Sequence, residues 1–90
     1  MTWTIKYTAT AAKSIKKLDF QIQRKIKDFL EYDLANSEDP REKGKGLTAN
    51  YAGLWRYRIG DYRLICNIED HDLMVLVLDA GHRKNIYGRL

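Results

Sequence analysis

Three arginines stand out for chemistry, Arg56, Arg58 and Arg63, because they flank the dipeptide Gly60-Asp61. The runs Leu54 to Ile59 and Tyr62 to Ile68 are rich in β-branched and aromatic residues, and a two-residue connection led by glycine suits a type II′ hairpin turn. A loop that short sets the register. Ile59 pairs with Tyr62, Arg58 lies across from Arg63, and Arg56 lies across from Ile65. Side chains alternate between the faces of a strand, so the three arginines share one face. Trp55, Tyr57, Ile59, Tyr62, Leu64 and Cys66 share the other, which is suited to packing helices. Like charges directly opposite each other destabilise an antiparallel ladder, and Asp61 is the one acid close by. An anion would relieve the repulsion. Phosphate fits best, since the planar guanidinium fork binds phosphate oxygens bidentately and keeps its charge. The alternative is that these arginines are solvated, or are paired with carboxylates brought in by the helices or the tail.

A second set lies at the C-terminal end, where Arg83, Lys84 and Arg89 occur with no acid. Arg83 and Tyr87 are four apart, which would put both on one face of a helical turn. Tyr87 could equally serve only to pack the tail onto the sheet. His82 titrates near neutrality and could move a proton, whereas His71 sits in the acidic turn Glu69-Asp70-His71-Asp72 and should be exposed. Cys66 falls on the packing side of its strand with no base beside it, and reads as a small core residue. One cysteine and two histidines cannot form an internal disulfide or a structural zinc site. Gly44-Lys45-Gly46 precedes a strand rather than a helix, unlike a phosphate-cradling loop, and no carboxylate cluster suits magnesium. No metal and no cofactor is expected. Trp3 and Tyr7 could stack on bases, but aromatics at strand alternation more often belong to a core.

These residues need elements to hold them in place. Thr2 to Thr8 alternates apolar with polar groups and reads as a half-buried strand. Ala11, Ile15 and Leu18 then form one helical stripe, and Asp19 is placed to cap a second helix carrying Ile22, Ile26, Phe29, Leu30 and Leu34. That helix should end before Pro40, with a long loop to about Gly53. After the arginine hairpin, Leu73 to Leu78 is almost continuously apolar, as for a central strand buried on both faces. The tail His82 to Leu90 is expected as a helical turn or an extended arm. The fold class is therefore α+β, in the order β-α-α-β-β-β, with a helix hairpin packed on one face of a twisted four-stranded antiparallel sheet.

With 90 residues, residues 1–90 form a single domain. Apolar residues at 44% and charged residues at 31% are an ordinary globular balance. No apolar run approaches a membrane span and no secretory signal pattern opens the chain, so a cytoplasmic protein is expected, without a membrane partner. A net charge of +4 hints at a polyanionic partner, but such a charge is common.

Three segments resemble the RelE/ParE superfamily of toxins from bacterial type II toxin–antitoxin systems, in its RelE branch. They are Ala12 to Asp19, Gly53 to Ile65 (GLWRYRIGDYRLI) and Gly81 to Tyr87 (GHRKNIY), and the likeness covers nearly the whole chain. The resemblance implies a ribosome-dependent endoribonuclease (mRNA interferase) that cuts messenger RNA in the ribosomal A site and so inhibits translation. Cleavage would proceed by attack of a ribose 2′-hydroxyl on its own 3′-phosphate, without a metal. It also implies roles. Arg56 and Arg58 match catalytic basic positions on the strand, and Arg63 matches an arginine that holds the scissile phosphate. Arg83 matches one that stabilises developing charge, and Tyr87 a tyrosine that stacks on the reacting nucleotide; His82 and Lys84 would contact RNA beside them. Well-known RelE toxins carry lysines at the two strand positions, one of them assigned as general base, a role arginine cannot fill. The base would then be Tyr87, or else Lys84, His82 or a ribosomal group. The implied partners are the ribosome and its message, and an acidic RelB-like antitoxin that wraps the toxin. DNA would be contacted only through that antitoxin, in an autorepressing complex. Two alternatives stay open: a ParE-like inhibitor of DNA gyrase on the same fold, and a non-catalytic RNA- or ribosome-binding module.

Overall fold

A computed structural model describes residues 2–89. The first strand, β1 (Thr4–Tyr7), leads through Thr8 into α1 (Ala9–Lys16). Thr8 makes this junction twice over: its hydroxyl oxygen accepts from the Ala11 N–H at 3.0 Å, capping the helix, and its hydroxyl donates to the Leu78 carbonyl at 3.0 Å. Asp19 caps α2 (Phe20–Asp28), as its position suggests, by accepting from the Gln21 N–H. The apolar stripe then runs on through Phe29–Leu34, but with π-helical hydrogen bonding such as Ala35 N–H to Leu30 C=O. The wider turn keeps Leu30 and Leu34 both fully buried.

Among the described residues the sheet has five strands, not four: β1, β2 (Lys45–Gly46), β3 (Trp55–Ile59), β4 (Tyr62–Glu69) and β5 (Met74–His82), in the spatial order β1-β5-β4-β3-β2. The extra one is β2 (Lys45–Gly46), which lies inside the stretch expected to be loop and pairs antiparallel with β3 (Trp55–Ile59). It was illegible because two residues carry no period. β1 runs parallel to β5 (Met74–His82), so the sheet is mixed rather than wholly antiparallel. Two single turns of 3-10 helix, Pro40–Lys43 and Ala49–Tyr51, fill the rest of the expected loop. The last strand is longer than the apolar run Leu73 to Leu78. Leu73 adopts a left-handed φ of 48° before it, and pairing with β4 (Tyr62–Glu69) carries it on to His82. A β-bulge opposite Ile65 and Cys66 absorbs the register shift.

One face of the sheet holds the main core. Ala11, Ile15, Ile26, Leu30 and Leu34 from the helical layer pack on Tyr57, Leu64, Cys66, Val75, Val77 and Ala80. Trp3 belongs to this core and donates its indole N–H to the Glu38 carbonyl, while the Tyr7 hydroxyl donates to Glu31 at 2.6 Å. Both aromatics are therefore structural. Among the described residues no helix is long and apolar enough to cross a membrane.

Candidate functional site

The arginine hairpin forms in the expected register, with Arg58 opposite Arg63, Arg56 opposite Ile65 and Ile59 opposite Tyr62. Gly60 has φ 58°, while Asp61 has no positive φ, the pattern of a type II′ turn. Tyr57, Leu64 and Cys66 point into the helix-side core, so Arg56, Arg58 and Arg63 occupy the face the helices leave open.

The three arginines differ in their surroundings. Arg58 is exposed. Arg63 is only 7% exposed, and its Nη1 donates to the Gly60 and Tyr62 carbonyls at 2.9 and 3.0 Å, so it braces the turn. Burial pulls the pKa of Arg63 below the ordinary arginine value, and the positive charges of Arg58, Arg56 and Arg83 push the same way. The guanidinium nevertheless remains charged at neutral pH. Arg56 is half-buried, and its Nη1 approaches the Tyr87 hydroxyl oxygen at 3.5 Å. Its Nε is buried without a hydrogen-bond partner among the described residues. No ion pair to a carboxylate joins Arg56, Arg58 or Arg63 among those residues, although such pairs hold Arg41 to Asp70 and Arg83 to Asp61.

The tail lies over this face. A turn at residues 83–85 leads into a 3-10 turn, Ile86–Arg89, so Arg83 and Tyr87 do not share one helix face as their spacing suggested. They reach the site separately. The Arg83 N–H donates to the Asp61 carbonyl at 2.8 Å, and its side chain sits 3.8 Å from the Asp61 carboxylate. Ile86 is fully buried, as is Ile65 on the arginine face, and Tyr87 sits beside Arg56. The Tyr87 carbonyl also accepts from the Tyr51 hydroxyl at 3.2 Å.

His82 stands apart from this cluster. It pairs across the sheet with Tyr62, on the helix side, and its ring meets Tyr62 edge-on at 5.6 Å. It lines a cavity of about 460 Å³ with Thr10, Ser14, Lys17 and Asn85. Its Nδ1 accepts from the Lys84 N–H at 3.2 Å, and Lys84 itself is exposed. Cys66 is buried, which pushes its thiol pKa far above the ordinary value, while His71 is exposed.

The fold adds two lysines that the sequence reading passed over. Lys45 pairs with Arg56 across β2 and β3, and Lys43 lies two residues before it. Together with Glu42, Gly44 and Arg58 these residues line a cleft of about 200 Å³. Lys43 closes a 3-10 turn and only Lys45 lies on the strand, so no periodicity in the sequence marks the pair. Gly44 is what lets the strand approach, because a Cβ there would lie 2.4 Å from the Arg56 carbonyl and 2.7 Å from the Tyr57 ring.

A helical layer on one face of the sheet and a cationic cluster with a tyrosine on the other define a small basic α+β protein. Comparison with known proteins gives the class a family. Residues 5–87 match the model of the ParE toxin of type II toxin–antitoxin systems. The chain is 36% identical over 89 residues to toxin RelG of Mycobacterium tuberculosis, covering 99% of this chain and 100% of that one. Toxin RelE of the same organism is 32% identical over 80 residues, covering 89% of this chain and 80% of its own length. The solved RelBE2 toxin–antitoxin complex of Mycobacterium tuberculosis contains a chain that superposes with a TM-score of 0.85 at 32% identity, over 92% of this chain and 93% of that one. The chain belongs to the RelE/ParE superfamily of type II toxin–antitoxin toxins, in its RelE branch.

Proposed function

We propose that this toxin is a metal-independent endoribonuclease that enters the ribosomal A site and cuts messenger RNA there. The observation that carries the reading is the Arg56, Arg58, Arg63 and Tyr87 cluster on the open face of the sheet, with none of the three arginines in an ion pair with a carboxylate among the described residues. RNA supplies the nucleophile, so the protein has to align the 2′-hydroxyl with the phosphate and stabilise the charge that develops on the phosphorane. Arg63 is rigid, braced by the turn it caps, and suits a fixed phosphate clamp. Arg58 is free to reach non-bridging oxygens, and Arg83 approaches from the tail beside Asp61. Tyr87, held over the face by Arg56, stacks on the reacting nucleotide and is the favoured proton acceptor. Lys43 and Lys45 extend the positive surface along the backbone of the RNA, and Lys84 does so at the tail. His82, turned toward Tyr62, is at most a peripheral contact.

By the same reading the toxin works in the cytoplasm and is held inactive by an acidic RelB-like antitoxin that wraps it and displaces the tail, with DNA contacted only through that antitoxin. Tyr87→Phe is expected to slow single-turnover cleavage on programmed ribosomes far more than it weakens ribosome binding; equal losses in both would refute the role of Tyr87. Arg83→Ala separates catalysis from binding alone, since a mere binding module would lose affinity without the wild type ever producing cut message. The ParE description of the matching family model favours one second reading, a gyrase inhibitor. Brief expression followed by mapping of message 5′ ends decides between them: codon-phased cuts that vanish when initiation is blocked support the nuclease, whereas intact messages with trapped gyrase–DNA complexes support the other.

A further inference from the structure

Tyr87 is held from both ends. Its hydroxyl oxygen lies 3.5 Å from Arg56 Nη1, and its main-chain carbonyl accepts from the Tyr51 hydroxyl at 3.2 Å, with the two tyrosine rings 6.5 Å apart and tilted by 42°. The Tyr51 hydroxyl thus ties the main chain of the tail to a loop distant in sequence.

Tyr51 is presented by a compact loop. Leu47 N–H bonds the Leu54 carbonyl at 2.9 Å to close it, and Tyr51, Ala52 and Leu54 each donate a main-chain bond back to the residue three before them. Two left-handed positions shape it, Gly53 at φ 93° and Ala49 at φ 55°. The latter is unusual for a residue with a side chain, and such backbone persists where its surroundings hold it. Nothing in the arginine hairpin requires this loop to reach the tail, yet it places the Tyr51 hydroxyl on the residue that faces the arginines.

We propose that Tyr51 is a positioning residue that latches the tail, so that Tyr87 stands in register over Arg56. The latch acts in the free protein. Its consequence for cleavage rests on the reading of this face as an RNA-cutting site. Two measurements keep those parts separate. Deuterium uptake by the peptide covering residues 83–89 is followed in the free toxin, and single-turnover cleavage is measured alongside ribosome affinity.

Tyr51→Phe keeps the ring and removes the donor, so tail exchange should rise about fivefold, the equivalent of one ordinary hydrogen bond. Cleavage should slow by a similar factor while ribosome affinity stays within about twofold, because the loss falls on alignment rather than on binding. Tyr51→Ala should exceed it in both readouts, and the melting temperature of the Phe variant should fall by no more than the few degrees that one hydrogen bond is worth. Unchanged tail exchange in both variants would overturn the latch, whatever the toxin cuts. Faster exchange with unaltered cleavage by an active toxin would overturn its role in positioning. Faster exchange in a protein whose wild type cuts no message would uphold the latch and overturn the nuclease reading instead.

Discussion

Arg58 and Arg63 face each other across one rung of the hairpin, yet removing their charges should move stability in opposite directions. Arg58 is exposed and makes no ion pair among the described residues, and its charge pushes the Arg63 pKa down. Its main energetic effect is thus repulsion of Arg63 and Arg56. Directly opposed like charges cost a sheet about 0.2 to 1 kcal/mol. For a domain of this size, 1 kcal/mol corresponds to about 4 to 8 °C in melting temperature. Arg58→Gln should therefore raise Tm by about 2 to 4 °C at low salt. Arg63 is nearly buried and donates to the Gly60 and Tyr62 carbonyls, so its removal leaves the turn unbraced. Two bonds from a charged donor are worth on the order of 2 kcal/mol net, so Arg63→Gln should lower Tm by on the order of 10 °C.

Thermal unfolding followed by circular dichroism in about 0.02 and about 1 M salt provides the check, because the Debye length shrinks from over 10 Å to about 3 Å across that range. The gain from Arg58→Gln should fade as salt rises, while the loss from Arg63→Gln should persist. A loss of stability in Arg58→Gln, or a gain unaffected by salt, would refute the claim that this rung is a repulsive pair kept for something other than folding.

Further perturbations test the supporting structure. Gly44→Ala places a Cβ within 2.4 Å of the Arg56 carbonyl and should part β2 from β3; a melt and a cleavage assay should both show loss, with the basic cleft impaired more than the core. Cys66 should resist a thiol reagent in the native protein at pH 8 and react once denaturant is added, since it is fully buried. Stability should also fall with rising alkalinity. Burial raises the pKa of Cys66 above its ordinary 9.0 and those of Tyr57 and Tyr7 above 10.0, with Glu31 adding to the shift at Tyr7. The folded chain then holds protons that the unfolded chain releases. That stability is fully present below about pH 9 and is lost as pH climbs beyond it. Cys66→Ala should delay the onset toward pH 10, and an onset that does not move would refute burial of the thiol as its cause.

Local periodicity and turn chemistry were enough to place Arg56, Arg58 and Arg63, because a two-residue turn leaves no freedom in the register of its strands. Asp19 marked the start of the second helix for a similar reason, since a side-chain cap acts within three residues, whereas the capping role of Thr8 went unread at the end of its strand. What stayed hidden depends on contacts between distant segments. The pairing of Lys45 with Arg56 spans a loop with its own turns, and two residues of β2 are too few to show an alternation. The parallel pairing of β1 with β5 joins the two ends of the chain, and the π-helical end of the second helix depends on how Leu30 and Leu34 seat in the core. The side taken by His82 also went unread, because it follows from β5 running on past its apolar stretch to pair His82 with Tyr62.

The two faces of the hairpin show why so short a chain can carry both a core and a site. Tyr57, Leu64 and Cys66 are fully buried on one side, and on the same strands Arg56, Arg58 and Arg63 gather on the other. Each residue serves one purpose, and strand alternation keeps the purposes apart. The arginine face is poor as structure: it sets like charges opposite each other and leaves Arg56 Nε buried without a partner among the described residues. An unmet buried donor costs about 1 to 3 kcal/mol, a burden that a bound phosphate could lift by drawing the Arg56 side chain into a new bond. Because a ligand that prefers the folded state stabilises it in proportion to its occupancy, an anion that fits this face should stabilise the wild type more than Arg58→Gln. Equal stabilisation of the two proteins would refute this coupling between the repulsion within the hairpin and an anion.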